Sequence, residues 1–302
     1  MRNRKSKNHK FMIGIFGVFG LFVVALAIGF GFHLQKKWQR KDRRFLIKSI
    51  LQTGPQKEAL KTVYLAELLE LSTDKPVNLI NFDCKKAEEK LLASPLIKKA
   101  SIKKIKPDSL YIDYEVRTPI AWLLDYKNVA VDEEGYIFPV YPYLTPKHLP
   151  EIYLNLSAYE NSSGSEFIWN SPLQGKQIEL ALKILKSFSL HKQEYPFKLK
   201  RIDVSHAFFP SLGKREVVLL IEDELTLHKE DKVYQYIFPI CLRMTVTNYL
   251  QQMGNYAVLR EKIFNDYRRQ LVTQTPSSSV IYFKPKVLDL RIDKLGFIDN
   301  RS

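Results

Sequence analysis

From Phe11 to Phe32 the chain runs 22 residues without a charge, and Lys and Arg crowd together on both sides of that run. At about 1.5 Å per residue a helix of this length crosses the roughly 30 Å hydrocarbon core of a bilayer. The pattern predicts a tail at 1–10, a transmembrane helix over 11–34 and a basic juxtamembrane segment at 35–44. A cleaved signal peptide has a shorter apolar stretch, about 7–15 residues, that ends at small residues. Ala25-Leu26-Ala27 fits that ending, yet Ile28, Gly29, Phe30 and Phe32 carry the apolar run past it, which favours an uncleaved anchor. No second stretch is long and apolar enough to span, so one large part of the chain is expected on one side of the membrane. Flanking charge almost cancels across the span and gives no orientation. A signal-anchor with its tail in the cytoplasm and its bulk exported is the commoner plan.

After the basic segment the pattern changes to short alternating and helical stretches. Phe45–Leu51 reads as a strand ending at the turn signal Thr53-Gly54-Pro55. Thr62 reads as the cap of a helix carrying Leu65, Leu68 and Leu69. Asp83 reads as the N-cap of a second helix with Ala87 and Leu91 on one face and Pro95 beyond its end. Ile97–Ile105 is extended. Leu110–Arg117 alternates, with Leu110, Ile112, Tyr114 and Val116 on one side and Tyr111, Asp113, Glu115 and Arg117 on the other, the period of a half-buried strand. The order strand, helix, helix, strand, strand makes a small α+β unit.

The remaining half is less regular. Ile178, Ala181, Leu182, Leu185 and Phe188 form a helical stripe. Val217–Ile221 is a continuous apolar run and predicts a central strand, with Leu225–His228 folding back on it across Glu222-Asp223-Glu224. Those three acids read as a solvated turn in preference to a site for a hard cation. Tyr249–Leu271 predicts a helix with Arg260, Lys262, Arg268 and Arg269 outward. Val280–Phe283 and Leu288–Ile292 predict strands, the latter with Leu288, Leu290 and Ile292 inward. The aromatic-rich stretch Val233–Met253 has no assignment.

Charge alters this picture only at the membrane. The net charge is +15, but residues 1–44 carry eleven basic side chains and one acid, so two thirds of the excess lies where anionic head groups attract Lys and Arg. The run Lys98, Lys99, Lys103, Lys104 and Lys106 reads as a solvated strand edge, and no nucleic-acid partner is expected. The two cysteines, Cys84 and Cys241, are far apart and read as unpaired buried thiols. The six histidines form no HExxH and no i, i+4 pair, though His206 and His228 fall on segments that sheet pairing can bring together. No GxSxG, Gly-rich phosphate loop or CxxC occurs. The expectation is a protein without catalytic residues, metal, cofactor or small-molecule substrate.

The segment LLASPLIKKASIKKIKPDSLYIDYEVRTPIAWLLDYKNVAVDEEGYIFP resembles the FtsQ/DivIB bacterial cell-division family. The resemblance is carried by Pro95, Ala100, Ile102 and Pro107, the string Glu115-Val116-Arg117-Thr118-Pro119-Ile120-Ala121, then Val131-Asp132 and Gly135-Tyr136-Ile137-Phe138. Val287–Ile298, VLDLRIDKLGFI, resembles that family's closing strand pair. The likeness covers Phe45 to about Ile152 well, Leu199–Ile221 fairly and Glu222–Lys286 poorly. It implies an α+β fold: a single transmembrane helix, a POTRA domain (β-α-α-β-β) at 45–117, and a second mixed α/β sheet domain at 118–302.

The resemblance further implies a bitopic scaffold of the division septum. Such a scaffold sits in the inner membrane at the division site and links early division proteins to septal peptidoglycan synthesis. It binds FtsB/DivIC-type and FtsL-type partners. It places the partner site on the closing strands, at Leu290, Arg291, Ile292, Asp293, Lys294, Leu295, Gly296, Phe297 and Ile298. There an open sheet edge would take a partner strand, Gly296 would lie in a turn, and Arg291 and Lys294 would complement charge at the rim. The alternative is a POTRA-bearing outer-membrane assembly or secretion factor, which requires a transmembrane barrel of alternating strands. A membrane-anchored enzyme ranks third.

Overall fold

The structure is a computed structural model that describes residues 28–31, 33–35, 37–156, 169–190, 197–229, 232–271, 278–292 and 295–299. The chain is a mixed α/β protein in two compact units, Met1–Val116 and Arg117–Ser302. This corrects the fold class expected from the sequence, which began with a transmembrane helix. Among the described residues no helix is long and apolar enough to cross a membrane. Residues 11–27 and 32, most of the expected span, lie outside the described residues.

In the first unit the order is β1 (Ser49–Thr53), α1 (Thr62–Leu68), α2 (Cys84–Leu92), β2 (Ile97–Ile105) and β3 (Ser109–Val116). The sheet order is β1-β3-β2, with β1 parallel and β2 antiparallel to the central β3. Local chemistry accounts for α2. The Asp83 carboxylate accepts hydrogen bonds from the backbone N–H groups of Lys85 and Lys86, donors that the first turn would otherwise leave unpaired. The start of α1 differs from expectation: Thr62 is its first helical residue, and Lys61 precedes it with no side-chain cap.

Along β3, Leu110, Ile112 and Tyr114 are buried, while Asp113 and Glu115 are exposed. Gly54 follows β1 because nothing larger fits there. A Cβ at that position would lie 2.6 Å from Tyr114 Cζ, and the Tyr114 hydroxyl is held by a hydrogen bond from the Leu60 N–H at 2.8 Å. Gly54→Ala is therefore expected to lose about 1–3 kcal/mol of stability through overpacking and loss of that bond. Urea denaturation checks this; an unchanged midpoint would mean that the ring moves aside freely.

The second unit contains β4 (Ala121–Leu123), β5 (Val129–Val131), β6 (Ile137–Pro139), β7 (Glu151–Tyr153), α3 (Lys176–Leu190), β8 (Phe197–Asp203), β9 (Val217–Lys229), β10 (Lys232–Met244), α4 (Tyr249–Leu271), β11 (Val280–Tyr282), β12 (Lys286–Asp289) and β13 (Phe297–Asp299). Its ten-stranded sheet runs β13-β12-β10-β9-β8-β7-β4-β5-β6, with β11 also on β10. Helices α3 and α4 share one apolar core with the sheet, where Ile178, Ala181, Ile184, Met253 and Tyr256 meet Ile202, Leu219 and Leu242. Phe197 joins the two helices, with its ring centroid 6.0 Å from that of Phe188 and 5.3 Å from that of Tyr256.

Four sequence expectations are corrected here. Glu222-Asp223-Glu224 is not a turn: β9 continues through it and pairs with β10 from end to end. Alternation turns Glu222 and Glu224 to one face, where they meet Lys200 and Lys198. Asp223 faces the other way, between the buried Ile221 and Leu225, and is fully buried. Arg260 does not face outward but reaches Asp223 with Nε at 2.5 Å and Nη2 at 2.7 Å. Arg117 does not join the exposed face of β3. It is buried against Asp132 at 2.8 Å, its guanidinium 3.6 Å from the Tyr136 ring centroid. Asp132 also accepts from the Glu134 and Tyr136 N–H groups around a turn closed by Gly135 at φ 85°. Ile292 lies outside β12 and is exposed.

Candidate partner-binding edge

The unassigned aromatic stretch builds the outer part of the large sheet. In β10 the side chains of Tyr234, Tyr236 and Phe238 face α4 with Phe264 and Leu271 in a second, mainly aromatic core. Phe238 stacks on Phe283 at 4.5 Å and meets Phe264 edge-on at 5.0 Å. Pro239 then interrupts the ladder. Gln235 N–H donates to Ser279 O, and Ile237 O accepts from Phe283 N–H, so odd-numbered residues of β10 face the β11–β12 side. Pro239 falls on that side without an N–H to offer. The parallel neighbour breaks opposite it: Ile237 pairs with Tyr282 in β11, and Ile240 with Lys286 in β12. An uninterrupted strand would keep one register, whereas here the register shifts by one residue across the break.

β12 carries β13 on its far side, with Leu288 opposite Ile298 and Asp289 opposite Phe297. Among the described residues β13 is the terminal strand of the sheet and pairs with β12 alone. The nine residues predicted for a partner site are dispersed by this geometry. Leu290 is buried, and its N–H donates to Arg243 O at 2.9 Å. Arg291 folds back: Nη2 lies 2.7 Å from Asp289 Oδ2, Nη1 lies 3.1 Å from Glu216 Oε2, and Nη1 also reaches Gly213 O. The guanidinium is spent on internal partners. Burial pushes the Asp289 carboxyl up, but hydrogen bonds from Arg291 outweigh burial and hold it below the usual range.

Ile292, Leu295, Phe297 and Ile298 are exposed, Phe297 at 65 %. Phe297 and Ile298 lie in the edge strand, and Ile292 and Leu295 precede it. Asp293 and Lys294 lie outside the described residues. Leu295 N–H donates to Ile292 O at 3.2 Å. Gly296 serves close packing, since a Cβ there would lie 2.9 Å from Leu259 Cδ1 of α4.

Elsewhere the chemistry is sparse. Among the described residues no group of three or more His, Cys, Asp or Glu side chains is placed to hold a metal ion. His206 follows β8 beside the start of β9, while His228 lies near its far end. Ten residues of strand, about 33 Å, separate their backbone levels, so the two do not meet. Cys84 and Cys241 are free and half-buried, and burial pushes both thiols up.

No family model matches the chain, and no curated protein matches it. The edge-strand geometry is therefore what supports any reading of the second unit. Reasoning from the sequence overlooked Tyr282, Lys284 and Lys286, which lie along the same outer margin. Pro239 was the available signal, because a proline inside a strand requires a missing neighbour at that point.

Proposed function

We propose that the protein is a non-enzymatic scaffold of the bacterial division septum, acting at the inner membrane with its bulk on the exported side. In this reading it captures FtsB/DivIC-type and FtsL-type partners and links early division proteins to septal peptidoglycan synthesis. The observation that carries the proposal is β13, an edge strand of three residues with exposed Phe297 and Ile298 and no second neighbour among the described residues. An uncovered apolar edge exposes unpaired backbone groups and aggregates unless a strand covers it. A partner segment added there gains main-chain hydrogen bonds and apolar contact together. The resemblance of Val287–Ile298 to the closing strands of FtsQ/DivIB proteins supports the choice of partner. The uncharged run Phe11–Phe32 between basic clusters supports the membrane location.

Since Arg291 is held by Asp289 and Glu216, capture at this edge is expected to depend on backbone and apolar contact more than on its charge. Phe297→Pro or Ile298→Pro is expected to weaken partner capture about tenfold or more, with the melting temperature little changed. Pull-down with an FtsB/DivIC-type partner checks this. Capture retained after truncation following Asp293, with the domain still folded, would place the site elsewhere. A fluorescent fusion is expected at midcell; uniform envelope fluorescence would refute the septal role.

A further inference from the structure

The break at Pro239 leaves a hole. Between the interrupted ladder and α4 lies a cavity of about 230 Å³. Its wall is apolar, formed by Phe238, Ile263, Phe264, Tyr267, Val287 and Ile298 among others. Among the described residues two charged side chains line it, Lys284 and Lys286, and both are basic. They flank Pro285 at i and i+2, a spacing that sets both side chains on one side of an extended segment. The Lys286 ammonium lies 4.5 Å from the Tyr267 ring centroid, which holds it at the wall. The Tyr267 hydroxyl is buried and has no hydrogen-bond partner among the described residues.

We infer that this cavity binds a single-chain amphiphile with an anionic head, a carboxylate or a phosphate. The apolar wall takes part of the chain, and the two lysines take the head. The size suits such a ligand, because an apolar cavity of about 150 Å³ already holds a benzene ring. The charge complementarity is one-sided: an acyl chain with a cationic head would meet two ammonium groups, and a neutral head would leave them unpaired. The inference does not rest on the septal reading. The cavity shares Ile298 with the edge strand, so the test is built on Ile263 of α4 and on the lysines.

Titration calorimetry of the full chain with dodecanoate, kept below its micelle concentration, is expected to saturate at one ligand per chain. Ile263→Trp, which fills the cavity, is expected to weaken binding about tenfold or more. Lys284→Glu is expected to weaken it about tenfold; Lys284 is exposed, so its replacement leaves the fold intact. Dodecyl glucoside, with a similar tail and no charge, is expected to bind far more weakly than dodecanoate. A short-chain, water-soluble phosphatidylglycerol, kept below its micelle concentration, separates two sources of the ligand. Displacement of bound dodecanoate by it points to a bilayer lipid, while retention of dodecanoate points to a free amphiphile. The inference is overturned by non-saturating titration, by equal affinity for the two head groups, or by wild-type binding in Ile263→Trp.

Discussion

Asp223→Ala is expected to destabilise the second unit by about 2–4 kcal/mol, the cost of leaving the half-buried Arg260 and the buried Tyr256 hydroxyl without their partner. Asp223 lies in the middle of β9 with no solvent exposure. Its two oxygens accept from Arg260 Nε and Nη2, and Oδ2 also accepts from the Tyr256 hydroxyl at 2.9 Å. Tyr256 and Arg260 are one turn apart on α4, so a single carboxylate ties two helical positions to the sheet. Arg260 lies in addition 4.7 Å from the Phe264 ring centroid. Burial, with the Asp223 charge second, pushes the Tyr256 phenol far above its ordinary value. The hydrogen bond to Asp223 raises the Arg260 guanidinium further.

Removing the carboxylate strands the guanidinium and the phenol together. The double variant Asp223→Leu with Arg260→Met is expected to recover most of the loss, because apolar replacement of a whole buried pair is often neutral or stabilising. Chemical denaturation of both variants checks this. A loss under about 1 kcal/mol in Asp223→Ala would show that Arg260 reaches water without strain.

Ile112→Asp is expected to destabilise the first unit by several kcal/mol at neutral pH, since it puts a carboxylate into an apolar interior. Ile112 is fully buried at the centre of β3, with Ile102 opposite it on β2 and Gln52 on β1. Asp113→Asn, one residue on, turns to the exposed face between Thr53 and Ser101 and is expected to change stability by less than about 0.5 kcal/mol. The penalty should also depend on pH in a defined direction. Burial raises the pKa of the introduced carboxyl, so the folded state binds the proton more tightly than the unfolded state. Stability of the variant relative to the parent therefore falls as pH rises through the unfolded value and recovers on acidification. Equal melting temperatures for the two variants would refute the phase of β3.

Much of this architecture is legible in the sequence because its causes are local. The span of α4 is bounded by its own pattern. Asp83 caps α2 using donors two and three residues away. The alternation of Leu110, Ile112 and Tyr114 reveals which face of β3 is covered, since period two admits one solution.

What sequence pattern misplaced was the set of polar groups whose partners lie on distant elements. Asp223, read within Glu222-Asp223-Glu224, is indistinguishable from a turn acid until α4 brings Arg260 and Tyr256 over it. Arg117 continues the polar face of β3 on paper and is withdrawn only because Asp132 and Tyr136 surround it. Arg291 is lost from the candidate edge to Glu216 and Asp289, and Pro239 marks a cavity only once β11 and β12 are seen to part around it. A hydrophobic position is decided by its own transfer free energy and its periodicity, which the chain carries with it. A charge is decided by whether a partner repays its desolvation, and only the tertiary structure supplies that partner.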